Sequence, residues 1–239
     1  MSSRRHFIQA SAIAVAGLAA QLQRPVQAKE GNLVMDKLTD SSGKYVAGPL
    51  PFAFDTLEPV IDARTVELHY TFHHKPAAAA ANKAEEALAK ARDSNDFSLV
   101  KHYEKELAFQ LSSHILHTIY WTNLSGKGGE PKGALAKAIS AEFDFFDKFK
   151  AHLIAASTTI ESSGWGLLGY HSVTKKLMIL QCENHHKLTA WGIQPLLLLD
   201  VFEHAYYLKY QNRRAEYLNN LFAIINCDHV VERFDAARA

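Results

Sequence analysis

The spacing of apolar positions changes period part-way along the chain. In the first half it is helical. Asp62 or Thr65 can cap a helix that carries Leu68, His69, Phe72 and His73 on neighbouring turns. Pro76 predicts a bend or break in it. Residues 77–91 are rich in Ala, Glu and Lys and strongly helix-forming. After the break RDSNDFS, a second helix is expected over about 99–124, with Leu107, Leu111, His114, His117 and Trp121 on one side. The two helices pattern as an antiparallel hairpin. The glycine-rich stretch LSGKGGEPKG at 124–133 marks a domain boundary, and helices are expected over 134–140 and 142–156. Then the pattern becomes that of strands. WGLLGYHSVTKKLMILQC places two apolar runs about a polar turn at 172–175, which reads as a β-hairpin. PLLLLD reads as a buried strand ending at Asp200, and helices resume from about His204. The class is α+β, with a helical first half (50–124) and a mixed second half (133–234).

Ahead of the hairpin, 29–45 is polar and expected to be poorly ordered, and Pro49, Pro51 and Pro59 give an extended lead-in. Residues 1–28 read as a targeting segment: Arg4 and Arg5 precede an apolar run, and Val26-Gln27-Ala28 offers a cleavage site. That run is too short and too interrupted to span a bilayer well. The expectation is twin-arginine export to the bacterial periplasm, with no membrane contact after cleavage. Cys182 and Cys227 are expected to be free thiols. A formal net charge of +1 without a basic run gives no reason to expect nucleic acid as a partner. No CxxC, HExxH, GxGxxG, Walker or GxSxG pattern occurs, which removes the common zinc-finger, metalloprotease, nucleotide and serine-hydrolase readings.

The chemistry lies in the histidines. There are 13, several of them clustered beside apolar or aromatic residues: LHYTFHHKP, SSHILHTIYW and CENHHK. In DVFEHAYY a carboxylate, Asp200, stands four residues before His204, after four leucines. Burying such groups is costly unless something pairs with them, and a metal ion is a suitable partner. Oxygen together with imidazole nitrogen suits iron, manganese or zinc better than magnesium or calcium.

Taken in order, LPFAFDTLEPVIDARTVELHYTFHH, HTIYWTNL, GWGLLGY and DVFEHAYYLKYQNRRAEY resemble the iron/manganese superoxide dismutase family. The likeness runs from Leu50 to Phe234. It implies an N-terminal helical hairpin, a C-terminal domain with a three-stranded antiparallel sheet, and one iron or manganese ion per subunit between them. It implies His69, His117, Asp200 and His204 as metal ligands. It places His73 in the outer shell by the substrate entrance and His185 where the family hydrogen-bonds the solvent at the metal. A one-residue shift would exchange His185 with His186. Ser113 stands where some iron enzymes supply that donor, and is too short for it. His74 and His114 read as structural hydrogen-bonders, and Trp121 and Trp165 as the pocket's aromatic wall. Tyr207 resembles the residue that reaches the His73-type position of a partner subunit, and Glu203 one that bonds a ligand His across a homodimer interface. Lys75 and Arg214 are candidates for a field that draws in superoxide.

One departure stands out: the family's gateway tyrosine, three residues after the His-His pair, is Ala77 here. The implied activity is disproportionation of superoxide to oxygen and hydrogen peroxide. The alternative is a catalytically impaired metal-binding relative. A zinc hydrolase on the same donors would lack a general base beyond Glu203.

Overall fold

The computed structural model describes residues 38–239. The expected export signal at 1–28 lies outside the described residues. Among those described, no helix is long and apolar enough to cross a membrane.

Asp62 starts the first helix, α1 (Ala63–Leu68), by accepting from Thr65 N–H at 2.9 Å and from the Thr65 hydroxyl at 2.7 Å. The chain does not break at Pro76. It widens into a π-helical segment, His69–His74, and continues as α2 (Lys75–Ser94). Pro76 has no N–H to offer a carbonyl one α-turn back. The wider turn accommodates this: Lys75 N–H reaches five residues back, to the Tyr70 carbonyl. Asn95, at φ 54°, ends α2 in the left-handed region, and α3 (Val100–Thr122) returns antiparallel to it. Ala78, Ala81, Ala84, Leu88 and Ala91 are buried along α2.

The segment expected to be poorly ordered is, from Leu38 onward, a small clip. Thr39 bridges Tyr45, and Asp40 accepts from Ser42 N–H and Lys44 N–H inside the turn. Asn82 on α2 holds the clip by two bonds, accepting from Tyr45 N–H at 2.9 Å and donating to Tyr45 O at 2.8 Å. The polar composition of this stretch hid an order supplied by side chains distant in sequence.

Helices α4 (Gly133–Phe143) and α5 (Phe146–Thr158) follow. Their break falls at Asp144, whose φ is 72°, not at 141 as expected. Strands β1 (Gly164–His171), β2 (Lys176–Glu183) and β3 (Ile193–Asp200) form an antiparallel sheet in the order β2-β1-β3. Helix α5 lies close on β1 at Gly166, where a Cβ would come within 1.7 Å of Ser157 Oγ.

Strand β3 lies at the sheet edge, and side chains cover its open backbone groups. Its register slips between Leu168 and Gly169 of β1, leaving Leu196 as the extra residue. Asn123, just past α3, donates to Leu196 O at 3.0 Å and accepts from Leu198 N–H at 3.0 Å. Arg233 donates to Pro195 O through Nε and Nη2. An edge dressed in this way cannot pair with another strand. After β3 come a 3₁₀ turn (Glu203–Ala205), α6 (Tyr207–Tyr210), α7 (Arg214–Leu221), a second 3₁₀ turn (Phe222–Ile224) and α8 (Cys227–Ala237). Arg233 lies on α8, so Asn123 and Arg233 join β3 to helices on either side of it in the chain. Cys182 is buried and Cys227 half-buried, and both are free.

Candidate metal centre

Four elements deliver four donor atoms to one place. His69 opens the π segment, His117 lies on α3, Asp200 is the last residue of β3, and His204 lies in the 3₁₀ turn after it. The register that pairs Asp200 with Trp165 and the Asn123 bonds to β3 set where that strand ends relative to α3. The strand-to-turn bend is held by Asp200 Oδ1, which accepts from Phe202 N–H at 2.9 Å. Asp200 Oδ2 is thereby left to face His69 Nε2 at 3.1 Å and His204 Nε2 at 3.7 Å.

The ligating atoms of the four residues all lie within 4.8 Å of one another. His69, His117 and Asp200 are buried, and His204 is nearly so. His69 Nε2, His117 Nε2, His204 Nε2 and Asp200 Oδ2 are buried without a hydrogen-bond partner. Four convergent orphaned atoms in a protein interior would be costly without a common partner. Three imidazole nitrogens and one carboxylate oxygen fit iron or manganese.

Electrostatics favour the protonation states a cation requires. Burial drives the His117 imidazole well below its ordinary value. Burial also drives His69 down to about 4, helped by the nearby His204. Burial alone would raise Asp200, but the His204 and His69 nitrogens facing it outweigh this, so the carboxyl lies below its ordinary range. Neutral imidazoles at His69 and His117 and an ionised Asp200 result. His117 Nδ1–H donates to Ser113 O at 2.7 Å, which fixes the tautomer that turns Nε2 to the cluster.

His185 is buried, and Trp165 Nε1–H donates to its Nδ1 at 3.0 Å. An indole only donates, so neutral His185 carries its proton on Nε2. Phe202 stacks on the ring at 4.5 Å and Phe109 meets its edge at 4.7 Å. His186 is more exposed and packs against Phe109, at 5.8 Å. Of the two, His185 is the one that accepts from Trp165. His73 lies at the outer side, its ring exposed and stacked on His204 at 3.8 Å. Trp121 and Trp165 pack against His69 and His117 at 4.7 and 5.1 Å, and Tyr120 lies 5.5 Å from His69. Ala77 is buried.

Other expected residues lie apart from this cluster. Glu203 is exposed, and Tyr207 is 46% exposed. No hydrogen bond to His204 Nδ1 forms within the described residues. Arg214 is engaged structurally: it donates to Ile160 O, Ser162 O and the Tyr206 hydroxyl, which ties α7 to the end of α5. Lys75 Nζ sits 4.7 Å over the Tyr70 ring. Sequence reasoning missed Asn123, whose only signal was an amide just past the end of a helix.

A helical hairpin, a three-stranded sheet and a buried cluster of three histidines and one aspartate define a candidate mononuclear metalloprotein. Residues 44–125 match the alpha-hairpin domain of iron/manganese superoxide dismutases, and residues 131–233 match the C-terminal domain of the same family. The chain is 42% identical over 195 residues to a superoxide dismutase [Fe] of Mycobacterium tuberculosis, covering 81% of this chain and 94% of the relative. It is 40% identical over 195 residues to a superoxide dismutase [Mn] of Nocardia asteroides, with the same coverage. It is 39% identical over 197 residues to a superoxide dismutase [Mn/Fe] of Aeropyrum pernix, covering 81% of this chain and 92% of the relative. The chain belongs to the iron/manganese superoxide dismutase family. Near-equal identity to relatives named for iron, for manganese and for both leaves the two metals equally placed.

Proposed function

We propose that this protein disproportionates superoxide, using one iron or manganese ion per subunit held by His69, His117, Asp200 and His204. The observation that carries the reading is the set of four buried, unpartnered ligand atoms within 4.8 Å of one another. A bound iron or manganese ion supplies a one-electron couple, so that two superoxide ions and two protons become one oxygen and one peroxide. The chain's own residues hold the ion, shield it and manage protons. Trp121, Trp165 and Tyr120 give the cluster apolar walls. His185 presents an N–H from Nε2 because Trp165 occupies its other nitrogen. His73, exposed and stacked on His204, is the group placed to pass protons to and from solvent.

We propose further that the working form is a periplasmic homodimer. Glu203 of one subunit would take up the unused Nδ1 of His204 in the other, and Tyr207 would reach the other's His73. The exposure of Glu203 and Tyr207 supports this. Sedimentation should give twice the chain mass, reduced by Glu203→Ala; a monomeric wild type would refute it. Replacing Arg4 and Arg5 by Lys should hold the protein in the cytoplasm, and unchanged delivery would point to another route.

The central test is Asp200→Ala, read by elemental analysis and superoxide consumption. Loss of both metal and activity is expected, and full metal retention would refute the ligand assignment. A wild type that holds metal but consumes no superoxide would favour the impaired relative, for which Ala77 is the reason.

A further inference from the structure

Behind the Trp121 wall runs a line of hydrogen bonds whose direction can be deduced from its two ends. Trp121 Nε1–H lies 3.2 Å from His74 Nδ1. His74 Nε2 lies 2.9 Å from His114 Nδ1, and His114 Nε2 lies 2.9 Å from the Leu38 carbonyl. An indole nitrogen only donates and a carbonyl only accepts. So His74 must accept at Nδ1 and, being neutral, donate from Nε2. His114 must then accept at Nδ1 and donate from Nε2 to Leu38. Thr118 agrees with this. Its hydroxyl gives its proton to His114 O at 2.9 Å, so its oxygen can only accept from His74 Nε2, 3.3 Å away. Trp121, His74, His114 and Leu38 are all buried, and water does not compete for these bonds.

The line touches the metal cluster at one end and a separately anchored segment at the other. The Trp121 ring lies 4.7 Å from His69, and the His74 ring lies parallel to His117 at 5.4 Å. Leu38 belongs to the N-terminal clip, which Asn82 holds through Tyr45, and its carbonyl also accepts from Val46 N–H at 2.9 Å, so bonds that do not pass through His114 help to hold it. Its carbonyl is therefore a fixed point to which the imidazoles are tied.

We propose that His74 and His114 are positioning residues. Through a one-way line anchored on Leu38 they hold the Trp121 indole, and with it the ring of His69, in the orientation the metal site uses. The clip preceding the hairpin thus becomes a working part of that site. An indole N–H without its acceptor would be buried and unpaired, a state relieved only by turning the ring against its neighbours. The inference rests on the reading of His69 as a ligand.

The test compares His114→Phe with His114→Gln in the full-length protein. Phe keeps a planar ring and removes both bonds. Gln can accept from His74 through Oε1 and donate to Leu38 O through Nε2. Two measurements are made. The first is hydrogen exchange of the Trp121 indole N–H, followed by NMR in metal-free protein. The second is the electron paramagnetic resonance spectrum and midpoint potential of the manganese-loaded protein, with kcat and KM. Exchange in His114→Phe should be roughly tenfold faster, the loss of one buried hydrogen bond. The spectrum and potential should shift, and kcat/KM should fall roughly tenfold at unchanged metal content. His114→Gln should restore all of these. Unchanged exchange in His114→Phe overturns the proposal, as does faster exchange with an unchanged spectrum and potential, or a Gln variant as altered as the Phe. A wild type that takes up neither iron nor manganese would instead defeat the ligand reading, and the exchange arm would still decide whether the line holds Trp121.

Discussion

Asn123 ties the helix that carries His117 to the strand that ends in Asp200, and its removal should be among the costliest single changes in this chain. Asn123→Ala deletes a donor to Leu196 O and an acceptor for Leu198 N–H, each 3.0 Å away. Both backbone groups lie on the outer edge of β3, away from β1, within residues at most 1% exposed. Neither can turn to water without moving the strand. A buried polar group left unpaired costs about 1–3 kcal/mol, so two give roughly 2–6 kcal/mol. That is a large share of the roughly 5–15 kcal/mol that holds a typical domain together. Equilibrium urea unfolding of metal-free protein, followed by far-ultraviolet circular dichroism, gives the loss directly. Asn123→Asp supplies a version that can be titrated. Its protonated carboxyl can still donate to Leu196 O, while its ionised form sets oxygen against oxygen. The folded-state pKa of this Asp is then raised. Its stabilising contribution should be present below the ordinary carboxylate range and be lost as pH rises through the raised value. Metal occupancy should fall with stability, since the end of β3 presents Asp200. A loss below about 1 kcal/mol in Asn123→Ala, with no pH dependence in Asn123→Asp, would refute the reasoning.

Trp165→Phe removes the donor that fixes the His185 tautomer. Activity should fall roughly tenfold or more with metal content intact, and steady-state kinetics beside elemental analysis would check it. Acid should destabilise the metal-free protein early. Burial holds His74 at about 3 in the folded chain, against 6.5 unfolded. Above pH 6.5 neither state binds that proton. Below it the unfolded chain does and the folded chain does not, so stability is lost as pH falls, by about 2 kcal/mol between pH 6.5 and 5 for this group alone. Urea titrations at stepped pH would read this, and a flat profile would count against it. Ala77→Tyr should speed the proton-dependent half-reaction at high pH, measured by pulse radiolysis at equal metal occupancy. Because Ala77 is buried, the added ring should also cost about 1–3 kcal/mol of stability.

The hairpin and the three strands were legible because each carries its own period, and the His and Asp motifs stand beside apolar runs, where donor atoms become buried together. What escaped had no local signature. The clip at Leu38–Val46 is polar and reads as loose, since its order comes from bonds to Asn82, 37 residues from its partner. The part played by Asn123 depends on a bulge at Leu196 that no spacing announces. His74 and His114 could be read as hydrogen-bonders, but the direction of their bonds required knowing that an indole stands at one end and a carbonyl at the other. Pro76 was read as a disturbance of the helix, and the form the disturbance takes, a wide turn before the proline, follows from backbone accommodation.

That wide turn gives chain length a role at the metal centre. A π segment amounts to an α-helix with one residue inserted. Because the wide turn spreads the extra residue over several smaller steps, His69 faces the metal cluster while α2 still presents its alanines to the hairpin. A deletion between 70 and 73 that restored an ordinary helix would therefore leave the faces of α2 where they are. A deletion within α2 has no wide turn to absorb it and would rotate everything after it by about 100°, turning the alanine face off α3. The segment that carries His69 should thus bear a change of length that the rest of the helix does not.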